Sequence, residues 1–210
     1  MHVYYAQSLE RNVPRSHPWT HAESDATEQY VDFRARPELI RTELEDFVPL
    51  GNDPAAERFF ELIEWLNGDE SVLETNDAAF ADLTPNPDRD RVPFAMRASG
   101  RVHLFMRELR HNIGFAGAVS ITNALGHHLG RTDDGWRDGR VGLARLPVHF
   151  AQIEDAENRL GWLHEIHLFS YGNSEREVLD AFARCTRNVR VACEALSREL
   201  AAAMAAAPDA

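Results

Sequence analysis

From Ser174 onward the chain repeats Leu179, Phe182, Thr186, Val189, Cys193, Leu196 and Leu200 at alternating intervals of three and four. That rhythm is the signature of one long amphipathic helix, and Ser174 with Glu177 supplies the capping box that would start it. The helix is expected over 174–207, fraying into the alanine-rich end. A seam this narrow needs a flat apolar partner, which is either a sheet within the same domain or a second copy of the chain in a dimer.

The remainder supports the sheet. Residues 1–36 read as a short strand, HVYYA, followed by an irregular segment; its SHPWTH loop, residues 16–21, is expected to cover the edge of the core. Two helices are expected within 37–68. The first runs from Pro37 to Val48, with Ile40, Leu44 and Phe47 on one stripe. The second is capped by Asp53, opened by Pro54, striped by Phe59, Ile63 and Leu66, and ended at Gly68. The Pro, Asn and Asp content of residues 69–91 predicts an irregular loop.

Residues 93–171 read as mainly β. FAMRA and RVHLFMREL flank Ser99 and Gly100 as two strands around a hairpin turn, and GRVGLARLPVHF is a strand whose Pro147 asks for an edge or a bulge. Between them, SITNALGHHL suggests a short helix ended by Gly130. The stretch 152–168 fits strand or helix, and its aromatic-rich second half favours a strand. No internal repeat breaks up residues 1–210. The expected architecture is one α+β domain, a largely antiparallel sheet covered by helices, with a long C-terminal amphipathic helix.

Composition narrows the chemistry. The formal net charge of −12 argues against binding to nucleic acid or to an anionic membrane, and suits a basic protein partner. The chain contains no lysine, so all 22 of its basic side chains are arginine. That excludes a Schiff-base nucleophile, a pyridoxal phosphate attachment and a phosphate-loop nucleotide site. No Gly-x-Gly-x-x-Gly loop signals a Rossmann dinucleotide site, and no Gly-x-Ser-x-Gly elbow is present. Cys185 and Cys193, eight positions apart in one helix, lie about 12 Å from each other, beyond disulfide reach. With no secretory signal evident, a soluble cytoplasmic protein is expected.

The histidines carry what chemistry there is. HEIH, residues 164–167, is one residue short of the His-Glu-x-x-His zinc signature. In a helix it would bring His164 and His167 together, with His127 a further candidate ligand. In a strand it sends His164 to one face and Glu165 with His167 to the other. His103, Arg107 and His111 recur at intervals of four, which keeps them on one side of a strand and near one stripe of a helix. Near His127 and His128, Asp133 and Asp134 could supply carboxylates.

In NALGHHLGR, His128 shares a face with Ile121, Leu125 and Leu129, while His127 points elsewhere. Two functions follow. The first is a binding or regulatory protein that engages a protein partner or its own copy through the helical seam. The alternative is a histidine-dependent enzyme, with or without a metal, that acts on a small anionic substrate. In that reading His103, Arg107, His111, Glu165 and His167 share one pocket across adjacent strands.

Overall fold

The computed structural model describes residues 2–5, 15–18, 30–132, 137–154 and 160–206. Six strands form one sheet. They are β1 (His2–Tyr5), β2 (Arg15–His17), β3 (Leu73–Pro85), β4 (Met96–Met106), β5 (Gly139–Phe150) and β6 (Leu160–Gly172). The order across the sheet is β1-β5-β6-β4-β3, with β2 also on β5; β1 and β2 pair parallel to β5 and every other pairing is antiparallel. The helices are α1 (Ile40–Glu43), α2 (Pro54–Asn67), α3 (Phe115–Arg131) and α4 (Glu175–Ala206). The fold is the expected α+β architecture with the long C-terminal helix.

At the start of α4, Glu177 N–H donates to Ser174 Oγ at 3.3 Å, while the Glu177 carboxylate turns back to accept from Asn173 N–H at 2.7 Å. The helix then lies over β4, β5 and β6, with α2 and α3 against it. Phe182, Cys185, Val189, Cys193 and Leu196 have no exposed surface, so this part of the seam packs within the chain, against the sheet and its neighbouring helices. Cys185 and Cys193 are free, and burial pushes both thiols up to about 12.

Several local expectations are corrected. Residues 73–85 are not loop but the edge strand β3, where Asp, Asn and Pro are tolerated because one side has no strand partner among the described residues. Ser99 and Gly100 do not turn; β4 runs straight through them. Gly100 is there because Phe182 of α4 rests on it: a Cβ at this position would stand 3.0 Å from the ring. The helix expected over 37–48 is a single α turn between two 3-10 turns. It breaks at Leu44, and Pro49 disfavours helical backbone at the residue before it. Helix α3 is longer than expected and runs through Gly117, Gly126 and Gly130.

Residues 160–172 are strand, as their aromatic content favoured. Pro147 sits on β5 between the register of β1, which ends at Leu143, and that of β2, which starts at Val148; its missing N–H faces neither neighbour. Among the described residues no helix is long and apolar enough to cross a membrane.

With period-two alternation, Val102, Leu104, Val141, Leu143, Ile166 and Leu168 point into the helix layer and form the main core. The opposite face has no helix among the described residues. At one end of it, Phe105, Leu146, Val148, Phe150 and Leu163 make a second cluster. The buried ring of His17 lies edge-on to Tyr30, Phe105 and Phe150 and bonds Asn76 Oδ1 through Nδ1 at 2.6 Å. The SHPWTH segment therefore covers a core edge at His17, whereas Trp19 and His21 lie outside the described residues.

Candidate functional site

The other end of this face carries a chain of charges across three strands. The register sets it up: Glu165 on β6 is paired with His103 on β4, and His103 with Asp77 on β3. Alternation puts His167 beside Glu165 and Arg101 beside His103 on the same face.

Both carboxylate oxygens of Glu165 are engaged. Oε2 lies 2.6 Å from His103 Nε2 and Oε1 lies 2.7 Å from His167 Nε2. On its far side, His103 Nδ1 stands 3.6 Å from Asp77 Oδ2, which also receives Arg101 Nη2 at 3.0 Å. His103 is 1% exposed, Glu165 and Asp77 13% each, and His167 36%. The chain thus runs from a sealed imidazole to an accessible one.

The electrostatics follow from these contacts. Burial alone would raise the Glu165 carboxyl, but hydrogen bonds from His103 and His167, reinforced by their charges, hold it well below the usual carboxylate range. An ionised carboxylate only accepts, so each histidine must present Nε2–H to it. His103 lies between two carboxylates, with Nε2 against Glu165 and Nδ1 towards Asp77. For His167 the constraint falls on the tautomer: with the proton on Nε2, the neutral ring directs the Nδ1 lone pair away from Glu165. Its ring lies parallel to Phe169, at 10° and 6.0 Å.

Beyond His167 lie Arg140 on β5 and Tyr4 on β1, with Tyr171 further along β6. The Tyr4 phenol rests on Gly142, where a Cβ would meet its ring at 2.7 Å, and Gly142 is the residue paired with His167. Arg140 stacks over the buried Tyr171 ring, 5.6 Å from its centroid. Burial, followed by the charge of Tyr171, pushes the Tyr4 phenol up, while Arg140 pulls it back. Tyr171 is raised by burial and lowered by the same arginine.

Compared with known proteins, the chain matches no family model, no curated protein and no solved structure. The site is therefore read from its own geometry.

Of the residues selected from sequence, His103, Glu165 and His167 converge, and Arg107 and His111 do not. The strand carrying His103 ends at Met106, where the Asn112 side chain accepts from Met106 N–H and donates to Met106 C=O at 2.7 and 2.8 Å. Arg107 then turns to the C-terminal end of α2 and donates to the carbonyls of Leu73, Leu66 and Gly68. His111 sits on an exposed 3-10 turn, 3.1 Å from Glu108.

The proposed ligand set of His164, His167 and His127 is also separated. His164 faces α3, with Nδ1 3.1 Å from Thr122 Oγ1; His167 faces the opposite side; His127 is exposed on α3. Among the described residues no group of three or more His, Cys, Asp and Glu is arranged to hold a metal ion. His128 is bonded to Glu199 at 2.8 Å, and Asp133 and Asp134 lie outside the described residues.

Sequence reasoning missed Asp77 and Arg101, along with Tyr4, Arg140 and Tyr171. Asp77 was hidden in a stretch read as loop. The glycine at position 142, within a strand, was the available sign that something approaches closely there.

Proposed function

We propose that the protein is an acid–base catalyst acting on a small anionic substrate at the uncovered face of the sheet, with His167 as the proton-transfer group. The reading rests on one observation: the Glu165 carboxylate holds both His103 and His167 by Nε2, which directs the free nitrogen of the accessible ring outward. Glu165 orients the imidazole and stabilises the imidazolium formed when Nδ1 takes a proton. His103 and Asp77 position Glu165. The site needs neither metal nor lysine.

Partner binding through the helical seam ranks behind this reading because that seam is covered by the sheet. The acidic surface still suits a basic protein partner. Two free, buried thiols are in keeping with a cytoplasmic location.

Acylation by diethylpyrocarbonate, followed residue by residue with mass spectrometry, tests the proposal. His167 is expected to react readily at neutral pH. Glu165→Gln is expected to slow it about tenfold while leaving the exposed His149 unchanged, since a carboxylate-backed imidazole is the stronger nucleophile. Equal rates for His167 in the two proteins would overturn the proposal.

A further inference from the structure

We infer that His17 is an acid-sensitive latch: its neutral ring, packed among aromatic side chains and bonded to Asn76, holds strand β2 against β5, and a second proton on the ring opens that contact. Strand β2 is three residues long and pairs Arg15 with Val148, Ser16 with His149 and His17 with Phe150. A strand this short depends on what its side chains reach. Ser16 is exposed, whereas His17 is 3% exposed. The imidazole stands edge-on to Tyr30, Phe105 and Phe150, with ring centroids at 4.7, 4.5 and 5.8 Å, and so closes over two members of the second apolar cluster.

The polar partner of the ring comes from an irregularity in β3. Thr75 is opposite Leu104 and Asp77 is opposite His103, so Asn76 is the extra residue of a bulge. In a regular strand neighbouring side chains part to opposite faces; the bulge lets Asn76 and Asp77 serve the same one. Asn76 is 5% exposed, and its Oδ1 accepts from His17 Nδ1–H at 2.6 Å. Asp77 meets His103. The latch and the charge chain thus hang on neighbouring residues, yet the latch requires neither His103 nor His167 to act.

A proton on Nε2 adds a charge and a second N–H to a ring with apolar walls, which is costly where no carboxylate takes them up. The carboxylates around it have other partners. Asp32 gives Oδ1 to the N–H groups of Arg34 and Ala35, Glu74 accepts from the Tyr30 hydroxyl at 3.0 Å and is drawn on by Arg107 and Arg34, and Asp77 receives Arg101. On β5, His149 is paired with Ser16 and faces the other side. Burial outweighs the pull of the Asn76 bond and of the Asp32 charge, and it holds His17 below its ordinary value of 6.5. The stability the closed latch contributes is therefore complete above that pH and is lost as acid is added below it. Burial pushes the Glu74 carboxyl up, so its titration stabilises the fold in acid and runs against the latch.

Amide hydrogen exchange of the full chain, read by NMR and corrected for the intrinsic effect of pH, tests the latch. Ala151 N–H donates to the carbonyl of His17 at 2.8 Å and reports whether β2 is seated; the amides of Val102 and Leu168, in the central strands, report the fold as a whole. Between pH 7.5 and 5.0 the protection of Ala151 is expected to fall about fivefold or more relative to those two. His17→Phe keeps an aromatic ring and cannot titrate, so this ratio should not change with pH. Asn76→Asp keeps the acceptor and adds a charge that favours the imidazolium, so the ratio should hold or rise in acid. A wild-type ratio that is the same at both pH values would overturn the inference. So would an acid loss of wild-type size in either variant, because a merely structural His17 would leave that loss in place.

Discussion

His164 and His167 stand three residues apart on one strand and meet opposite fates. His164 points into the helix layer, fully buried, with Nδ1 on Thr122 and no partner for Nε2. Thr122 already donates to Ala118 C=O at 2.9 Å, so His164 must donate from Nδ1, and the neutral ring is locked. His167 points to the uncovered face and meets an ionised carboxylate. The helix side therefore holds histidine as a packed, neutral ring, with polar atoms of His164, Ser170, Thr186 and Asn188 lacking partners among the described residues, whereas the other side carries a chain of opposite charges in which Arg101 Nε also lacks one. A period of two residues in the backbone decides which imidazole meets a carboxylate.

The contrast can be broken from either side. The largest effect is expected in the helix layer, where Val189→Glu places a charge in a fully buried apolar seam. It should cost about 4 kcal/mol or more and show as loss of the folded state in thermal melts, not as a change of oligomeric state.

Next comes pH. Burial, and then the charge of Arg145, pushes His164 down to about 4. The unfolded chain then binds the extra proton first as pH falls from 6.5 to 4, and about 3 kcal/mol of stability is lost across that window. His164→Gln should flatten denaturant-derived stability over the same range; an unchanged pH profile would show that the ring is not held neutral.

On the uncovered face, Glu165→Gln removes the charged acceptor of two hydrogen bonds and should cost about 2–3 kcal/mol. The carboxyl is held below its ordinary value near 4.5, so its contribution is complete above that pH and is lost as acid is added below it. A variant as stable as the wild type at neutral pH, or one that falls behind it only in acid, would contradict the expected sign. The smallest effect belongs to the surface. Arg41 reaches Glu57 and Glu64 at 2.8 and 2.7 Å, yet all three are well exposed, and Arg41→Ala should stay within about 1 kcal/mol by chemical denaturation.

How far the sequence reveals this depends on whether local rules and tertiary roles agree. They agree for α2 and α4, whose caps and stripes meet the sheet as their spacing demands. They also agree for Glu165 and His167, which alternation alone assigns to one face. They disagree at Gly100, which looks like a turn and instead makes room for Phe182, and at β3, whose Asp77 reads as loop until the edge position of the strand is known. The four-residue spacing of His103, Arg107 and His111 failed for a related reason. It presumes one continuous element, and the Asn112 side chain clamps Met106 just where the strand stops. Arg140 and Tyr4 carried no motif at all, because Tyr4 comes to rest on Gly142 and Arg140 on Tyr171 only once β1, β5 and β6 lie side by side, which are long-range pairings.

The claim that joins the two halves of the molecule is that Glu165 dictates which nitrogen His167 exposes. Nitrogen-15 spectra of the imidazole side chains at a pH where His167 is neutral read this directly. The predicted result is the Nε2–H tautomer for His167 in the wild type, shifting towards a mixture of tautomers in Glu165→Gln. An Nδ1–H tautomer in the wild type, or the same spectrum in both proteins, would contradict it.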